Sequence, residues 1–144
     1  IQECEKLQTI GDVKSLQYSM IQDFCRHASD AHIPEGISSE VYTCMNYIRC
    51  HTNESLGIED IAWQIHRSGS YVRTRFKEEL GINIGAYIAR CKLEEAKALL
   101  TYSDKSLTEI SNYLCFSSQS YFQNVFKKKY GLTPMQYRKK MQHV

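Results

Sequence analysis

Two stretches of the sequence set hydrogen-bonding side chains at one repeated spacing. Ser70, Arg73, Thr74 and Lys77 fall at i, i+3, i+4 and i+7, and Ser120, Gln123, Asn124 and Lys127 repeat those intervals later in the chain. Such offsets gather each set on one face of a helix. The residue types match the edges of bases in a major groove: Arg makes a bidentate bond to guanine O6/N7, and Asn or Gln does the same to adenine N6/N7. Polar residues on a helix are most often plain solvated positions. Here the arrangement occurs twice, in register and in the basic part of the chain, which favours a nucleic-acid surface.

The elements that carry these sets are also repeated. "SYVRTRFKEELG" (70–81) and "SYFQNVFKKKYG" (120–131) share Ser-Tyr, Phe-Lys and Gly at the same internal positions. Val72, Phe76 and Leu80 in the first copy, and Phe122, Phe126 and Tyr130 in the second, are spaced by four and form an inward stripe. The inward sets are alike and the outward sets differ, so the scaffold is kept while the presented chemistry changes. Each copy follows a shorter helical pattern and a tight turn: 58 to about 65 then 69–80, and 107–114 then 118–130. Two helices across a short turn, the second exposing Arg, Gln, Asn, Ser and Thr, is the pattern of a helix-turn-helix.

Apolar residues recur every three or four positions throughout and strand-like alternation is absent, which predicts an all-α chain. Upstream, Val13, Leu16, Met20, Ile21, Phe24 and Ala28 form an amphipathic stripe, and Pro34 and Gly36 break it. Ser38 or Ser39 caps a helix that buries Val41, Cys44, Met45 and Ile48. Between the two repeats, residues 83–100 form a helix capped by Asn83 and carrying Ile84, Ile88, Cys91, Ala96 and Leu99. Its length, on the order of 25 Å, suits a stiff connector between reading heads in successive major grooves about 34 Å apart.

The 144 residues, 42% of them hydrophobic, suffice for one domain or two small ones. Residues 1–53 carry 4 Lys/Arg against 7 Asp/Glu, a net charge of −3, whereas 54–144 carry 14 against 9, a net of +5. A basic half beside an acidic one points to a polyanionic partner. No apolar run approaches the roughly 18 residues of a membrane span and no signal-peptide pattern opens the chain, so a soluble, cytoplasmic protein without membrane contact is expected. Its start at Ile1 without Met fits a fragment of a longer protein. None of the six cysteines forms a C-x-x-C pair. Cys44 and Cys91 read as small hydrophobes, and Cys4, Cys25, His27, Cys50 and His51 offer no recognisable ligand spacing, so neither metal nor cofactor is expected. An enzyme is not expected either: there is no triad spacing, phosphate-cradling glycine loop or H-x-x-x-H pair, and the carboxylates of Asp60, Glu94 and Glu95 read as solvated. The rival is a helical protein-interaction module whose polar faces meet a protein partner.

Ile61-Ala62, Ser68, Ser70-Tyr71, Phe76-Lys77, Gly81 and Tyr87, followed by Leu93, Ala96, Leu99-Leu100, Ile110, Phe116, Ser120-Tyr121-Phe122, Phe126-Lys127, Gly131, Thr133-Pro134 and Tyr137-Arg138, resemble the DNA-binding domain of AraC-type (AraC/XylS family) bacterial transcription regulators. The likeness covers about 40–141, and "YF-x3-FKKKYGLTP-x2-YR" is a specific signature. It implies two helix-turn-helix subdomains (about 58–81 and 107–131) joined by a linker helix (about 83–100), with 38–144 as the DNA-binding domain. Residues 1–37 would be a preceding helical segment or a linker to a sensor or receiver domain. The implied function is sequence-specific reading of double-stranded promoter DNA in two adjacent major grooves, as an activator that contacts RNA polymerase. A homodimer would form through the N-terminal segment or a further domain. By the same resemblance, Ser70, Arg73, Thr74, Gln119, Ser120, Gln123 and Asn124 would face bases, and Ser68, Lys77, Ser118 and Lys127 would hold phosphates. Three positions depart from the family pattern: Cys115 where Gly is usual in the second turn, Ser111 where Ala is usual, and Lys92 where Arg is usual. A left-handed turn at Cys115 would cost roughly 1–2 kcal/mol, and the corresponding point in the first copy lies near His66.

Overall fold

Ser38 begins the first helix of a computed structural model that describes residues 33–143. Its side chain accepts from the Val41 N–H at 3.3 Å, which makes Ser38, and not Ser39, the cap of α1 (Ser39–Cys50). The apolar stripe of the sequence then turns inward: Val41, Cys44, Met45 and Ile48 are all buried. The amphipathic stripe of residues 13–28 lies outside the described residues. Those described form seven helices and no strand.

After α1 come α2 (Ile58–Trp63), α3 (Gly69–Leu80), α4 (Ile84–Tyr102), α5 (Leu107–Tyr113), α6 (Gln119–Tyr130) and α7 (Pro134–Gln142). Helix α2 ends two residues before its apolar periodicity does. Gln64, Ile65 and His66 each bond the carbonyl three residues back, at 3.1–3.2 Å, so the last turn tightens and feeds the chain into the turn. Gly81 (φ 71°) and Gly131 (φ 76°) close α3 and α6 in the left-handed conformation, with their N–H groups on Lys77 O and Lys127 O. Helix α4 opens on Asn83, as expected, and α7 opens on Thr133 with Pro134 behind it and Gln136 completing a capping box. Periodicity alone does not reveal α7; its cap does.

Two cores result. The first gathers Val41, Cys44, Met45, Ile48, Ile61, Ala62, Val72, Phe76, Ile84 and Tyr87. The second gathers Leu93, Ala96, Leu99, Leu100, Ile110, Leu114, Phe122 and Phe126. The fully buried rings of Phe76, Phe122 and Phe126 anchor the two repeats, Phe76 edge-on to Tyr87 at 5.3 Å and Phe126 edge-on to Tyr137 at 5.5 Å. Helix α4 serves both cores. Ile84, Tyr87, Ile88 and Cys91 face the first, and Leu93, Ala96, Leu99 and Leu100 face the second. At about 100° per residue, these two stripes lie roughly 140° apart around the helix axis. The linker therefore hands the chain from one unit to another on a different side of itself, and Lys92 falls at the changeover. Helix α7 packs back on α4, where Arg138 donates to Leu100 O at 3.2 Å and Lys105 O at 2.6 Å.

Candidate nucleic-acid interface

In the first unit α3 buries Val72 and Phe76 and leaves Ser70, Arg73, Thr74 and Lys77 exposed. Arg73, Thr74, Lys77 and Glu78 line a shallow open depression on this face. The Thr74 hydroxyl donates to Ser70 O at 3.1 Å, so its oxygen remains an acceptor toward the exterior. Helix α3 is pinned at both ends by α1. Glu40 accepts from Tyr71 Oη at 2.6 Å and pairs with Arg67 at 3.0 Å, and Glu79 accepts from the Ser38 N–H at 2.8 Å. The Tyr71 hydrogen bond first, and Arg67 second, hold the Glu40 carboxyl below its ordinary value; the same bond raises the Tyr71 pKa. The Arg67 guanidinium also lies over the Tyr71 ring, 5.2 Å from its centroid.

Helix α6 repeats the arrangement with two differences. Ser120, Asn124 and Lys127 are exposed, but Gln123 is half-buried. Gln119, also half-buried, accepts from the Thr108 hydroxyl on α5 at 2.6 Å. The corresponding position in the first unit is Gly69, where a Cβ would stand 2.5 Å from Glu59 Oε1 on α2. The start of each second helix thus touches the helix before it, by close backbone approach in one unit and by a side-chain bond in the other. Gln119 is a helix-to-helix contact as well as a surface residue.

Ser68 and Ser118 are the N-caps of α3 and α6. Their oxygens accept from Tyr71 N–H at 3.2 Å and Tyr121 N–H at 3.0 Å. Both residues are exposed, with their hydroxyl protons still available. Lys77 lies in the last turn of α3, and Lys127 with Lys128 and Lys129 in the last turn of α6, where positive charge also complements the helix dipole.

The turns contain the two non-glycine residues with positive φ among those described, His66 at 53° and Cys115 at 55°. The left-handed turn anticipated at Cys115, and near His66, is therefore present. From each of these residues to the next cap the chain takes two steps in the first unit (His66 to Ser68) and three in the second (Cys115 to Ser118). The second turn is one residue longer.

Other polar residues have structural partners that residue spacing did not disclose. Asp60 accepts from Gly57 N–H at 2.9 Å, Glu94 from Tyr130 Oη at 2.8 Å, and Glu95 from Thr52 Oγ1. Ser111, equivalent to the buried Ala62 of the first unit, is 1% exposed and its hydroxyl has no partner. Lys92 is buried; burial lowers its pKa, opposed by Cys115 and Glu95, and its ammonium lies against main-chain carbonyls of both units. Cys44 is buried in the first core, and burial raises its thiol pKa to about 11. Cys4, Cys25 and His27 lie outside the described residues; among those described, no cluster of His, Cys, Asp and Glu is arranged to hold a metal. No described helix is long and apolar enough to cross a membrane.

Paired short-turn helices on separate cores, each exposing a polar second helix, define a double helix-turn-helix protein. A family model described as a helix-turn-helix domain matches residues 61–140. The chain belongs to the AraC-type helix-turn-helix family, whose members are DNA-binding transcription regulators. It is 31% identical over 131 residues to the regulatory protein PocR of Salmonella typhimurium, a match that covers 89% of this chain and 43% of PocR. It is 40% identical over 98 residues to the xylose operon regulatory protein of Escherichia coli K12, covering 68% of this chain and 25% of that protein. Among solved structures, the C-terminal domain of AraT, a response regulator from Geobacillus stearothermophilus, superposes with a TM-score of 0.66 at 31% identity over 72% of this chain and 86% of that one. The chain spans less than half the length of these two curated relatives.

Proposed function

We propose that residues 38–144 form a DNA-binding domain that reads a promoter duplex in two adjacent major grooves, α3 in one and α6 in the next. The observation that carries this reading is that Ser70, Arg73 and Thr74 on α3, and Ser120 and Asn124 on α6, stand exposed on equivalent faces of two separately built units. Gln119 and Gln123, half-buried beside them, complete the base-facing set. Ser68, Ser118, Lys77 and Lys127 hold phosphates and so set register without reading sequence. The basic charge of 54–144 supplies the long-range attraction.

Both relatives are named as regulatory proteins, one of them of an operon, which supports a regulatory and non-enzymatic role. As an activator, the protein would recruit RNA polymerase. Residues 1–37 would join the domain to a sensor or receiver, and a homodimer would form through that part of the protein.

Selection from a random duplex library, followed by binding measurements, tests the reading and yields the site. Arg73→Ala and Asn124→Ala should each weaken the selected duplex by roughly 1–3 kcal/mol and relax preference at the positions they read. Lys127→Ala should weaken selected and unrelated duplexes alike. Four phosphate contacts would cost about a hundredfold in affinity between 50 and 200 mM salt. A protein-interaction module would select no sequence and show a shallow salt response.

A further inference from the structure

The Lys92 ammonium sits where the two units meet. It donates to Thr52 O at 3.0 Å and Glu54 O at 2.8 Å, both in the loop after α1, and to Leu114 O at 2.6 Å at the end of α5. An ammonium has three protons, and these acceptors use all of them. Two acceptors belong to the first unit and one to the second, so the full set forms only at one relative placement of the units. Two neighbouring contacts repeat the link: Thr52 donates to Glu95 on α4, and Cys115 Sγ in the second turn lies 3.4 Å from Asn53 O. No buried apolar residue is shared between the two described cores. Among the described residues, this small polar cluster joins α4 in setting the angle between the units.

We propose that Lys92 is a positioning residue that fixes the spacing and phase at which α3 and α6 meet DNA, an inference that rests on the two-groove reading above. One base pair added between two half-sites moves the second by about 3.4 Å and turns it by about 35°. Two reading heads held rigidly have a high effective concentration at one spacing and a low one elsewhere, whereas loosely joined heads bind over a broader range. Lys92→Met keeps the apolar stem and removes the donors, so the bridge from the loop at 52–54 to the end of α5 is lost and only the weaker neighbouring contacts are left to repeat the link. A purely structural role predicts reduced stability with an unchanged spacing profile.

The test measures the affinity of the whole chain, at one salt concentration, for the selected duplex and for duplexes with one or two base pairs inserted or deleted between the half-sites. A duplex with one half-site scrambled measures single-unit binding. Wild type should lose on the order of thirtyfold across two inserted base pairs, and Lys92→Met less than about threefold. The scrambled duplex should bind both proteins within about twofold of each other. Lys92→Arg, which keeps charge and donors, should restore the steep profile. Thr52→Val leaves Lys92 in place and should flatten the profile only in part; Lys92→Gln, whose shorter neutral side chain cannot reach all three carbonyls, decides the matter if Lys92→Met does not fold. A profile as steep in Lys92→Met or, failing that variant, in Lys92→Gln as in wild type overturns the role of Lys92 while leaving the two-groove reading intact. Selection of no preferred duplex, or of a site with a single half, would overturn the two-groove reading itself.

Discussion

Cys115 holds a left-handed conformation that glycine adopts without penalty, and Ser111, four residues earlier, buries a hydroxyl with no partner. Both lie around the second turn, which is therefore built with more strain than its fold demands. Cys115→Gly should raise the unfolding free energy by about 0.5–1 kcal/mol: relief of roughly 1–2 kcal/mol of strain is offset by about 0.4–1 kcal/mol of added chain entropy. Ser111→Ala should add about 1 kcal/mol by removing an unsatisfied group. Denaturant midpoints at constant m-value would check both, and a decrease in either variant would contradict the strain account. His66→Gly should gain less than Cys115→Gly, because His tolerates this region better and packs edge-on to Trp63 at 5.8 Å. The left-handed residue at Cys115 was anticipated only through the family resemblance, which sets Gly at that point of the turn. The roles of Lys92 and Gln119 were not, because their partners, Thr52, Glu54, Leu114 and Thr108, are carbonyls and hydroxyls that spacing along one helix does not mark.

At the scale of elements, α3 depends on α1 for its placement, and Glu40 is the main tie. Its folded pKa is lowered, so the stability it contributes is fully present above the ordinary glutamate value and is lost as pH falls through its lower folded value. Glu40→Gln should therefore make the acid limb of the stability-pH profile shallower. Glu94 and Glu109, whose pKa values are also lowered, keep the limb from vanishing. An unchanged acid limb in Glu40→Gln would show that the charge on Glu40 does not help to hold α3. The existence and extent of α1, α3, α4 and α6 were readable because their stripes are long and their caps are Ser, Asn and Gly. The shorter helices were less so. Helix α2 gives up its last residues to the turn, and α7 is too polar for its periodicity to stand out, announced instead by Thr133-Pro134 and Gln136.

For the whole molecule, the decisive feature is that one continuous helix feeds two separate cores while the contacts between the units are few and polar. Such a molecule should open one unit at a time, because among the described residues the Lys92, Thr52–Glu95 and Cys115–Asn53 contacts that tie the second core to the first are polar and local. Phe126→Ala removes a fully buried ring and should cost the second unit about 3–5 kcal/mol. Amide exchange followed by mass spectrometry should show that loss across α5, α6 and α7, with less than about 1 kcal/mol lost in α1, α2 and α3. Equal losses in both units would mean a single cooperative block, and the polar cluster at Lys92 would then be stronger than its bonds suggest. The unequal result matches the work proposed for each unit: the first keeps its face on DNA while the second opens, so each half-site contributes its own affinity and the linker region sets how the two combine.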